Sequence, residues 1–329
     1  MSGPSAPPPP PPPGRAPGGP RSFDLDRPVV AAGVALLAAA LVLSTAYTRK
    51  DGDLDWSNYT VGLLATFGLL AIAALALVLA RAADPVTDLF AWPGAFGIAG
   101  VGLMIGVALD DSDATAYVAG LVVVALSVGG LLLTRRGPFV VTAVLGLYVT
   151  YLQGMDDLFS VAEDDEIGGV QIALALALFA VLVTAAGWVL EETRVLAGAV
   201  AGGLTVIGFA TLTGALALAQ AFQAVFASFD SGEGPPARFD EYDNDAWVIL
   251  VVALLLVAGW AVCAALTRHV VYRILMVAMA ASVIPLVTAV LTVEHPSWWG
   301  VVIGGVGGAL LVLASLRVLR RPAGAAPPL

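Results

Sequence analysis

Ten apolar blocks of roughly twenty residues follow one another along the chain, at 28–47, 60–79, 89–109, 116–133, 139–158, 169–190, 195–222, 246–266, 271–293 and 298–316. A helix rises about 1.5 Å per residue, so about twenty residues match the roughly 30 Å hydrocarbon core of a bilayer. The chain is 59% apolar and only 12% charged, about half the charge of a soluble domain. In lipid every backbone group must be satisfied within the segment or in a closed barrel. The blocks lack the alternation of lipid-facing strands, which excludes a barrel. The sequence therefore predicts an all-α, polytopic membrane protein of about ten transmembrane helices.

Charge sets the expected orientation. With the N-terminal segment inside, the inner segments hold Arg15, Arg21, Arg27, Arg81, Arg135, Arg136, Arg194, Arg268, Arg273, Arg317, Arg320 and Arg321, twelve of the fifteen basic residues. Only Arg49, Lys50 and Arg238 fall outside, and the outer segments carry 19 of the 25 acids. The positive-inside rule then places both termini in the cytoplasm. Trp56, Trp247, Trp298 and Trp299 flank outer ends, while Trp92 and Trp188 flank inner ends, as expected of headgroup anchors. A preference for Arg over Lys, with abundant Ala, Gly and Val, suggests a GC-rich bacterial genome and hence a bacterial plasma membrane.

Three regions are expected. Residues 1–27 form a cytoplasmic tail with seven consecutive prolines, Pro7 to Pro13. Proline runs favour an extended, unfolded polyproline conformation that can also serve as a docking strip for a protein partner. Residues 28–318 form the bundle with acidic extracytoplasmic loops, and 319–329 a short cytoplasmic tail. A net charge of −10 argues against nucleic acid as a partner; the bilayer is the expected one.

The fifth block carries the clearest internal pattern. Thr142, Gly146, Thr150, Gln153 and Asp157 recur every three or four residues and lie within roughly 80° of one helix face. In the seventh block Gly198, Gly202, Thr205, Thr213, Gln220 and Gln223 share a face in the same way. A polar face in lipid must turn toward the bundle or a wet cavity. It serves either a solute pathway or close helix packing through small residues and interhelical hydrogen bonds. If the two stripes meet, they form one polar seam, with Asp157 at its outer mouth.

Gly198 with Gly202, and Gly300, Gly304 and Gly308 in the tenth block, are small-xxx-small steps that let helices approach closely, within the chain or between two copies. Pro285 in the ninth block is expected to kink it. The acidic stretches "DGDLDW", "LDDSDA", "AEDDE" and "FDEYDNDAW" are read as solvated outer faces. The first has the D-x-D-x-D spacing of a calcium loop, but Trp56 and Gly62 occupy the positions where that loop needs Gly and Glu.

Signals for chemistry are absent from the sequence. Cys263 is the one cysteine, and no phosphate-binding loop, zinc-protease motif or nucleophile elbow occurs. No catalytic residue, metal ligand or cofactor is expected, and the protein is not expected to be an enzyme. Helix number, length and orientation are similar in layout to drug/metabolite-type exporters, which implies a transporter; no functional residue carries over. The sequence thus points to a small-solute permease using the stripes of helices five and seven. A non-transporting scaffold or accessory subunit of a larger membrane complex is the alternative.

Overall fold

The computed structural model of the chain describes residues 26–49, 53–80, 88–109, 114–160, 168–189, 193–229 and 243–291, with Val301, Gly304, Gly305, Gly308 and Val312 beyond them. Every long described segment is helical. The order is α1 (Asp26–Tyr47), α2 (Trp56–Ala80), α3 (Asp88–Leu109), α4 (Thr115–Thr134), α5 (Gly137–Ser160), α6 (Gly169–Val189), α7 (Arg194–Phe229), α8 (Asp243–Thr267) and α9 (Val270–Leu291). The five single residues of the tenth block are also helical. The prolines of the tail, the acids at 110–113 and 163–166, and most of the tenth block lie outside the described residues.

Seven of these helices are long and apolar enough to cross a bilayer: Trp56–Val78, Ala91–Leu109, Thr115–Thr134, Gly137–Phe159, Gly169–Val189, Arg194–Ala219 and Ala246–Thr267. Ala31–Tyr47 and Val270–Pro285 are shorter apolar stretches. The surface is apolar as well as the core, and a few hydroxyl side chains are buried. Leu132, Leu133 and Val189 are each at least 76% exposed, whereas Ser127, Thr205 and Thr213 are at most 1% exposed. Large apolar side chains on the surface, with hydroxyl side chains buried in an apolar core, suit a bundle solvated by lipid. The chain is a multi-pass membrane protein.

Helices adjacent in sequence are adjacent in space except α7 and α8: α7 packs on α9, and α8 on α6 and α9. In the first half of the chain, α1 and α2 pack on α3 around Leu41, Ala65 and Met104, and α3, α4 and α5 meet around Ile98, Val123 and Phe139. In the second, α6 to α9 enclose a cluster that includes Phe209, Ile249, Trp260, Tyr272, Met279 and Val283. The halves join where Val140 and Val144 of α5 meet Phe179 and Val183 of α6 and Ala197 and Ala201 of α7.

Two hairpins use the same closing device. Arg135 follows α4 and Arg268 follows α8, each with a left-handed backbone at φ 52° and 56°. Each donates its N–H to the carbonyl four residues back, Leu131 at 2.6 Å and Ala264 at 2.9 Å. The preceding threonines also match: Thr134 and Thr267 donate to the carbonyls of Gly130 and Cys263, both at 2.7 Å. This terminus normally takes glycine; here an arginine holds it in both places. Thr134–Arg135 and Thr267–Arg268 are thus one repeated piece of geometry. Pro285 stands within α9, which continues to Leu291.

Candidate functional site

The α4–α5 hairpin holds the polar stripe. Gly137 begins α5 two residues after the Arg135 turn, so the two helices run antiparallel in contact from the outset. Near the turn, Gly130 lies under the Phe139 ring: a Cβ there would be 2.5 Å from Phe139 Cδ1. One step deeper, Ser127 Oγ donates to Thr142 Oγ1 at 2.8 Å, and Thr142 donates onward to the Phe139 carbonyl at 3.2 Å. Both residues are buried, so the pair is satisfied without water.

At mid-helix the backbones themselves touch. A Cβ on Gly146 would be 2.8 Å from the Gly120 carbonyl oxygen, and one on Gly120 would strike Thr150 Oγ1 and come 2.7 Å from the Gly146 oxygen. Thr150 turns its hydroxyl back to the Gly146 carbonyl at 3.1 Å. Two glycines facing each other leave no room between α4 and α5 for a solute or a file of water.

Beyond the glycines the stripe ends in a carboxylate cluster. Asp157 Oδ2 accepts from Tyr117 Oη at 2.7 Å, and Oδ1 accepts from Gln153 Nε2 at 2.9 Å. Tyr117 also lies close over Gly154. Asp157 is half-buried, whereas its neighbour Asp156 is exposed. Each carboxylate oxygen of Asp157 thus has a donor.

The stripe of α7 faces elsewhere. Gly198 lies against Tyr272 of α9, and Gly202 against Leu275 of α9 and Trp260 of α8. Thr205 donates to the Ala201 carbonyl within α7 at 2.8 Å and reaches the Leu176 carbonyl of α6 at 3.4 Å. Thr213 donates to the Phe209 carbonyl at 2.7 Å. Gln220 and Gln223 fall within α7, but their side chains lie outside the described residues. Among the described residues the two stripes therefore do not form one seam. Helix α5 meets α7 through its apolar side, Val140 and Val144 against Ala197 and Ala201, and spends its polar side on α4. The physical reason is steric: the glycines of each stripe admit a close neighbour, and α4 and α9 take those places.

A Cβ at Gly304 or Gly308 would meet nothing within 4 Å among the described residues, and Gly300 lies outside them. Of the acidic stretches, Asp55 has a definite role. Its Oδ1 accepts from the Ser57 N–H and its Oδ2 from Asn58 Nδ2, both at 2.8 Å, which caps the start of α2. No group of three or more potential metal ligands occurs among the described residues.

Sequence reasoning missed the α4 side of this interface. Tyr117, Gly120, Ser127 and Gly130 share one face of α4 at helical spacing, and that small-and-polar register was the available signal. It also missed the polar staples between other helices: Tyr59 to the Met104 carbonyl, Tyr151 to the Ala175 carbonyl and Tyr272 to the Arg194 carbonyl, at 3.4, 2.8 and 3.3 Å. No protein-family model, no curated protein and no solved structure resembles the chain above the level of chance.

Proposed function

We propose that this chain is a non-transporting membrane scaffold or accessory subunit, a ten-span bundle in a bacterial plasma membrane with both termini cytoplasmic. The one observation that carries the reading is the closure of the α5 stripe on α4. The polar groups from Thr142 to Asp157 have protein partners, and the Gly120–Gly146 contact blocks the line between them. The topology rests on the segregation of arginine to alternate connections. The proline run from Pro7 to Pro13 and the glycines of the tenth block are the surfaces assigned to protein partners and to a second copy. The reading is non-enzymatic and assigns no nucleophile, base or metal.

A second reading keeps one observation in its favour. A small-solute permease would use Thr142, Thr150, Gln153, Asp157, Thr205, Thr213 and Gln220, and the half-buried Asp157 near the end of α5 is a suitable first contact for a small cation. Uptake of labelled small organic cations into proteoliposomes separates the two. The scaffold reading expects uptake equal to that of empty liposomes. Saturable uptake that Asp157→Asn abolishes would establish the permease instead.

A further inference from the structure

Between α6 and α8 lies a cleft of about 270 Å³, lined among others by Thr184, Trp188, Leu255, Gly259, Trp260 and Cys263. Its rims, Val181 and Leu255, are 56% and 66% exposed, so it opens sideways to the surface that lipid covers. From Ala180 to Trp188 it follows α6 for about 12 Å, most of the roughly 15 Å depth of one leaflet. Its walls are apolar apart from Thr184 and Cys263. A helix with its side chains is about 10 Å across, too wide for a space of this size; a single acyl chain fits.

A cation stands at the end of the cleft by Trp188. The Arg194 guanidinium carbon lies 5.5 Å from the centroid of the Trp188 ring. Arg194 Nε is buried with no hydrogen-bond partner among the described residues. Its backbone is held, since the Arg194 carbonyl accepts from Tyr272 Oη at 3.3 Å. A guanidinium Nε–H with no acceptor among the described residues favours an anionic acceptor beside the group. Trp188 shares its ring between the cleft and the cation, at the level where tryptophans meet headgroups.

We propose that this is a binding site for one anionic phospholipid. Its acyl chain lies in the α6–α8 cleft, and its phosphate accepts charge-assisted hydrogen bonds from Arg194. Positive-inside placement of Arg194 puts the site in the cytoplasmic leaflet, where anionic lipids are concentrated. The inference is independent of the scaffold reading; it requires that the bundle sits in lipid with Arg194 on the cytoplasmic side.

The test is native mass spectrometry of the full-length chain titrated with phosphatidylglycerol or with phosphatidylcholine of identical acyl chains. One phosphatidylglycerol is expected to be retained in preference to phosphatidylcholine. Arg194→Gln should reduce that preference about fivefold, and Arg194→Lys should largely keep it. Gly259→Leu should weaken retention of both lipids by filling the cleft. A Cβ at Gly259 meets nothing within 4 Å, so the new side chain leaves the helix without a backbone clash. Glu191 and Glu192, beside Arg194 in sequence, lie outside the described residues; Glu191→Gln with Glu192→Gln should keep or strengthen the preference. Equal retention of the two lipids, or no response to Arg194→Gln, would overturn the site. Displacement by inorganic phosphate at the lipid's own concentration would make it a free-phosphate site, and a change of oligomeric mass in Gly259→Leu would assign the cleft to a second copy; either result overturns the proposal.

Discussion

Tyr117 and Asp157 stand forty residues apart on α4 and α5, and the Tyr117 phenol donates a 2.7 Å hydrogen bond to the Asp157 carboxylate. With Gln153 on the other oxygen at 2.9 Å, the acid is committed to the hairpin. Two residues that share an interaction are energetically coupled, so removing both costs less than the sum of removing each. Tyr117→Phe and Asp157→Ala should each lower the melting temperature in detergent, and the double variant should melt above the additive expectation. Additive losses would show that the contact contributes nothing to the hairpin.

The adjacent glycines 129 and 130 separate packing from propensity. A Cβ at Gly129 meets nothing within 4 Å, whereas at Gly130 it would run into the Phe139 ring. Gly130→Ala should destabilise by about 1–3 kcal/mol, because it forces a buried aromatic side chain to move. Gly129→Ala should be neutral or stabilise by up to ~1 kcal/mol, since alanine is the better helix former. Thermal unfolding of the two variants side by side checks this; equal effects would contradict the packing of Phe139 on α4.

Arg135 and Arg268 occupy left-handed conformations that cost a residue with a Cβ roughly 1–2 kcal/mol. Replacing either with glycine should therefore stabilise its hairpin by about 1 kcal/mol, while Arg268→Val should destabilise, because β-branched residues tolerate positive φ least. Equilibrium unfolding in mild detergent reads both signs. Stabilisation by valine would mean that the turn is not left-handed.

Much of the fold was legible because a membrane span needs only length and hydropathy. The expected blocks 139–158 and 246–266 became Gly137–Ser160 and Asp243–Thr267, differing by at most three residues at any end. The seventh helix, expected to end at 222, continues to Phe229; the seven-residue "QAVFASF" extension is helix-compatible but carries no hydropathy signal strong enough to mark its end. Periodicity also grouped Thr142, Gly146, Thr150, Gln153 and Asp157 correctly as one face. It could not name the neighbour, because two stripes of similar composition on α5 and α7 are each compatible with many partners. Which helix arrives depends on which other helix carries glycine at the matching height, as Gly120 does for Gly146. The left-handed arginines were hidden for a related reason: that position normally announces itself with glycine, and in "TRRGPF" the glycine stands two residues later, at the start of α5.

With α4 packed along it, the α5 stripe is expected to be closed to water. The most direct test is labelling of single cysteines at positions 142, 150 and 157, in a Cys263→Ser background, with a membrane-impermeant maleimide on intact and on permeabilised vesicles. Labelling is expected at 157, which is half-buried near the end of α5, and at neither 142 nor 150 from either side. Labelling at 150 or 142 at a rate comparable to that at 157 would contradict this and open the α4–α5 interface to water.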